Sequence, residues 1–128
     1  MHRPLDQLAI LLWAASPQSP QRCATPFSVA AAAAAMDARV EVYFAADSVQ
    51  LLAKDVAAQL YPGPQREQNL AFFMQQARDQ GVQFFGCQAS LAAWSLSLYD
   101  CQPWLDGIAG AGSIAARSLD PSWRVLIF

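Results

Sequence analysis

Cys87 is the residue of this sequence best placed to do chemistry. It follows Gly81-Val82-Gln83-Phe84-Phe85-Gly86 and precedes Gln88-Ala89-Ser90, so an apolar strand stops at a glycine and hands a thiol to the start of a helix. A helix N-terminus offers unpaired backbone N–H groups and the positive end of the macrodipole. Both lower a thiol's pKa and stabilise a thiolate or persulfide. The competing role is structural, because a cysteine at a strand end also serves as a small buried hydrophobe.

Other candidates sit at similar points. Gly110-Ala111-Gly112-Ser113 is a glycine turn entering a helix, a form that lets backbone N–H groups approach an anion. It has neither the full dinucleotide fingerprint nor a phosphate-loop lysine, so a packing turn is the simpler role. Asp47 reads first as a helix cap, with Gln50 three residues on, and second as a proton-transfer or ligand group. Cys23 and Cys101 are candidate second thiols, and their spacing does not say whether either meets Cys87. The pocket expected around Cys87 therefore comprises Gly86, Ser90, Asp47, Gly110 and Gly112. His2 is the only histidine, so Ser–His and Cys–His nucleophile systems and His-based zinc sites lack parts. Neither a metal nor another cofactor is expected.

The elements that must position these groups alternate in type. Residues 7–14 form a nearly continuous apolar run, the pattern of a strand buried on both faces of a parallel sheet. A weakly charged N-terminal region, with Asp6 intruding, makes this run a strand rather than a secretory signal. Ser19-Pro20 and Thr25-Pro26 are alternative starts for a helix through the alanine run Ala30–Ala35. Residues 40–45 form a second strand. Val49, Leu52, Val56 and Leu60 at helical spacing predict a second helix, and a third begins near Gln65 and ends with Gly81 at its C′ position. After the strand into Cys87, Leu91, Trp94 and Leu98 mark a helix; residues 107–109 form a short strand, and 123–128 close the sheet. Alternating strands and helices imply right-handed βαβ units, with functional groups at the carboxyl ends of the strands.

Composition narrows the function classes. A chain of 128 residues has the size of one domain, 1–128, and can bury a core without a disulfide framework. It is 55% hydrophobic and 14% charged, with net charge -2 and Lys54 as its only lysine. That leaves no basic footprint for nucleic acid or an anionic membrane, and it predicts apolar surface covered by other subunits. Three widely spaced cysteines fit a reducing, cytoplasmic setting. Trp94, Trp104 and Trp123 lack interleaved basic residues, so they read as core or interface anchors.

The order of these features resembles the DsrE/DsrF-like sulfur-relay family from about Leu8 to Phe128. The residues that carry the resemblance are Pro20-Gln21-Arg22 through Phe27, Val42-Tyr43-Phe44 with Asp47-Ser48-Val49-Gln50-Leu51-Leu52, Gly81 through Cys87 with Ser90, Gly110-Ala111-Gly112, and Arg124-Val125-Leu126-Ile127-Phe128. It implies a three-layer, flavodoxin-like α/β subunit with a mostly parallel five-stranded sheet, assembled as a homotrimer or homohexamer. It also implies a persulfide on Cys87, received from a sulfur-donor protein and passed to an acceptor. The sequence departs from the family pattern at Asp37 and Ser48, where glycine is frequent, and at Ala93-Trp94-Ser95, where the stretch is commonly basic. Two readings compete with a sulfurtransferase: a non-catalytic module that binds a small anion or nucleotide, and an assembly subunit without chemistry.

Overall fold

The computed structural model describes residues 6–128, so His2 and Arg3 lie outside the described residues. Five strands form one sheet: β1 (Gln7–Leu12), β2 (Arg39–Phe44), β3 (Gln83–Gly86), β4 (Gly107–Ile108) and β5 (Arg124–Ile127). Their order is β4-β3-β2-β1-β5, and all four pairings are parallel. Four α-helices alternate with them: α1 (Ala24–Ala35), α2 (Leu70–Asp79), α3 (Gln88–Ala93) and α4 (Ala111–Leu119).

This strand order distributes the helices. From β1 to β4 each crossover steps the same way across the sheet, so right-handed connections put α1, α2 and α3 on one face. The step from β4 back to β5 reverses direction and sends α4 to the other face. Side-chain alternation along the strands agrees. Ile10, Leu12, Val40, Val42, Phe44 and Phe84 enter the main core beneath α1 and α2, while Ala9, Tyr43 and Trp123 form a smaller cluster that Ile114 of α4 covers. Phe27, Phe44 and Phe84 anchor the main core, with neighbouring ring centroids 5.4–5.9 Å apart.

The first helix takes neither of the two alternative starts in full. Pro20–Arg22 makes a short 3-10 turn, and α1 begins at Ala24, which puts Pro26 in its first turn, where a missing N–H costs nothing and no kink results. Its C-terminus closes on Asp37, at φ 68°, with Asp37 N–H bonded to Ala34 O and Ala38 N–H bonded to Ala33 O. Gly81, at φ 90°, closes α2 in the same way.

The continuous second helix expected over 47–60 is replaced by two 3-10 segments, Ala46–Leu52 and Ala57–Gln59. The interruption has a clear cause. Ala53 is extended and bridges Cys101, Lys54 N–H donates to Asp100 O, and Gln102 N–H donates to Leu52 O. Partners from residues 100–102 thus replace the helical i→i−4 bonds, while Val49, Leu51 and Leu52 still reach the core. The helix expected from Gln65 starts instead at Leu70, where the Asn69 side chain caps it by accepting from Phe72 N–H at 2.9 Å.

One buried charge lies under α4. Glu41 of β2 is 2% exposed, yet its carboxylate is fully engaged. It accepts from Tyr43 Oη at 2.9 Å and from Arg117 Nε and Nη2 at 2.8 and 3.3 Å. The Arg117 guanidinium also lies 4.1 Å over the Trp123 ring. Arg39 Nη2 stands 3.8 Å from the same carboxylate, so two guanidinium groups offset the cost of burying it.

Candidate functional site: the thiol between β3 and β4

Adjacent strands β3 and β4 send their connections to opposite faces of the sheet, β3 to α3 and β4 to α4. Their carboxyl ends therefore flank the kind of crevice in which parallel α/β sheets place ligands and reactive groups. Cys87 sits at its lip. The residue is the N-cap of α3 in extended conformation, and its own N–H is tied to Phe44 O at 2.9 Å.

The surroundings of the sulfur come from three loops. Ser90 lies in the first turn of α3, and its Oγ accepts from Ala46 N–H at 2.9 Å, which leaves the hydroxyl proton for Cys87. Ala46 holds φ 52°, a left-handed conformation uncommon for alanine, at the turn out of β2. Gly110 closes the third side: a Cβ built there would stand 3.1 Å from Cys87 Sγ, a contact tight enough that the sulfur would have to shift by a few tenths of an ångström. Partial burial pushes the Cys87 thiol up, but hydrogen bonds from the Ser90 hydroxyl and from the Ser90 and Ala89 amides outweigh it and hold the thiol below its ordinary value.

Gly86, directly before the thiol, is packed by Leu52 and Leu91, whose methyls lie 3.1 and 3.2 Å from where its Cβ would be. Asp47 is exposed and supplies no side-chain cap to its segment. That task falls to Ser48, fully buried, whose Oγ accepts from Ala45 N–H and lies 2.9 Å from Leu12 O. Gly112 has open space where a Cβ would be. Cys23 and Cys101 are free thiols inside the main core, and burial pushes both up. The Cys23 thiol donates to Ser16 O and Ser19 O, both at 3.4 Å.

Sequence reasoning passed over Ala46, Glu41 and Arg117, and noted Ser48 only as a departure from a frequent glycine. Of these, Glu41 carried a legible signal, since an acid inside a buried strand requires a partner. Among the described residues, no group of three or more His, Cys, Asp or Glu side chains is arranged to hold a metal ion, and no helix is long and apolar enough to cross a membrane. A cleft of about 240 Å³ opens along α3, lined by Gln88, Leu91, Ala92, Leu96, Leu98 and Ile108 among others, with no charged side chain.

A parallel α/β domain with a hydrogen-bonded thiol at its switch point is the class of protein that fold and site define. The chain belongs to the DsrE/DsrF-like family, whose model matches residues 8–128. Two solved structures share the fold. One is the ychN protein from E. coli, with TM-score 0.70 and 16% identity over 98% of this chain and 100% of that one. The other is MTH1491, a protein of unknown function from Methanobacterium thermoautotrophicum, with TM-score 0.69 and 16% identity over 94% of this chain and 97% of that one. Among curated proteins, none matches the chain.

Proposed function

We propose that this chain is a sulfurtransferase subunit that carries sulfane sulfur as a persulfide on Cys87. One observation carries the reading: of three free cysteines, Cys87 alone is partly exposed and has its thiol held below the ordinary value, while Cys23 and Cys101 are buried. The Cys87 thiolate attacks the outer sulfur of a donor protein's persulfide. A new S–S bond forms at Cys87, the donor's S–S bond breaks, and the donor leaves as a thiolate. An acceptor thiolate then attacks the outer sulfur on Cys87, whose own sulfur leaves as thiolate. Both steps are redox-neutral thiol exchanges. The Ser90 hydroxyl and the free amides at the start of α3 stabilise the anion before and after transfer, so no histidine base is needed.

The test is intact mass after exposure to a polysulfide. Wild type should gain sulfur on Cys87 and Cys87→Ser should gain none; loading that survives the substitution overturns the proposal. A non-catalytic module for a small anion or nucleotide has less support, since the cleft along α3 has no charged lining. Assembly as a homotrimer or homohexamer and a cytoplasmic setting belong to the same proposal, supported by exposed apolar side chains such as Trp13 and Ile127 and by three cysteines left unpaired.

A further inference from the structure

α4 has no fully buried residue, yet it carries the backbone that closes over the sulfur of Cys87. Three residues at i, i+4 and i+7 attach it. Gly110, its N-cap, abuts Cys87 Sγ, and Ile114 packs on the cluster of Ala9, Tyr43 and Trp123. Arg117, in the last turn, makes the two-pronged pair with Glu41 and stacks on Trp123. The first and last of these points are about 10 Å apart along one short helix, which moves as a rigid rod. The strongest side-chain attachment is therefore at the end opposite the thiol, while backbone alone ties the near end, through Ala109 N–H to Gly86 O at 3.0 Å; with that point fixed, the pitch of α4 set at its last turn sets the approach of Gly110.

We propose that Glu41 and Arg117 are positioning residues for Cys87: by clamping the last turn of α4 to β2, they hold its N-terminal end against the sulfur and so govern access to the thiol. This rests on Cys87 being the reactive thiol. Neither residue touches the sulfur. With the clamp released, α4 swings on Ile114, the Gly110 backbone withdraws, and the sulfur becomes more open to an attacking reagent, while the Ser90 hydroxyl and the Ser90 and Ala89 amides stay in place on α3.

The test uses the full chain and iodoacetamide, following the rate at Cys87 against pH and counting adducts by intact mass. The double substitution Glu41→Gln, Arg117→Met removes the clamp without leaving a lone buried charge. The limiting rate at high pH is expected to rise by about threefold or more, while the midpoint of the profile, held down by Ser90 and Ala89 on α3, does not rise. Only one adduct should form, because Cys23 and Cys101 remain protected inside the core. The single variant Arg117→Lys, which retains charge but not the fork, should fall between wild type and the double variant. A profile that superimposes on wild type overturns the proposal. Three adducts also overturn it, since the pair would then be holding the whole fold rather than positioning one helix. Alkylation needs only a thiolate, so the comparison stands whether or not Cys87 carries sulfur; an ordinary midpoint in wild type with no sulfur loading would instead count against the carrier reading.

Discussion

Ser90 Oγ accepts from Ala46 N–H at 2.9 Å, which fixes the oxygen beside Cys87, and its hydroxyl lowers the thiol's pKa. A hydrogen bond to a charged group is worth more than a neutral one, and partial exposure of the thiol screens part of that. Ser90→Ala should raise the Cys87 thiol towards its ordinary value. The thiolate is the reacting form, so a raised pKa slows alkylation most below the midpoint, by about three- to tenfold, and not at all where both proteins are fully ionised. Equal slowing across the whole pH range would mean that Ser90 acts on access and not on ionisation. The place of Cys87 between β3 and α3 was legible because a strand, a glycine and a helix start are local signals, each written in neighbouring residues. Ala46 was not, because its N–H acts on a residue 44 positions away and only the folded chain brings the two together.

The same distinction holds for the elements. The strands and the helices α1, α2 and α4 follow from apolar runs, alanine content and end signals such as Gly81. The segment after β2 does not, because its apolar spacing is helical while its backbone partners come from residues 100–102. Tertiary hydrogen bonds override local periodicity there. Helix ends allow a direct check. Asp37 occupies the left-handed C′ position of α1 at φ 68°, a conformation that costs a residue with a Cβ about 1–2 kcal/mol. Aspartate bears less of this cost than most residues, and glycine adds flexibility to the unfolded chain. Asp37→Gly should therefore raise stability by a modest ~0.5 kcal/mol in urea unfolding, with an unchanged m-value. A loss of stability would show that the Asp37 side chain contributes more than its backbone strain costs.

At the scale of the whole molecule, the two faces of the sheet are unequal. The main core lies under α1, α2 and α3, whereas the other face has a small cluster and one helix with no fully buried residue. Beside α4 the sheet ends in β5, an edge strand of four residues that pairs only with β1. Ile127 of β5 is 67% exposed and Trp13, joined to it through the Trp13 N–H bond to Phe128 O, is 64% exposed. A sheet edge that is apolar beyond Arg124 invites pairing or coverage by another chain. The chain's low charge fraction points the same way, and both fit a homo-oligomer better than a free subunit. The expected outcome is that the full chain runs as a multimer by light scattering, and that Ile127→Lys shifts it towards monomer while leaving its circular dichroism unchanged. A wild type that is monomeric at every accessible concentration would remove this edge as a subunit contact. Exposed Trp13 and Ile127 would then be surface that the chain tolerates, and the sulfur-carrying reading of Cys87 would have to stand on a single subunit.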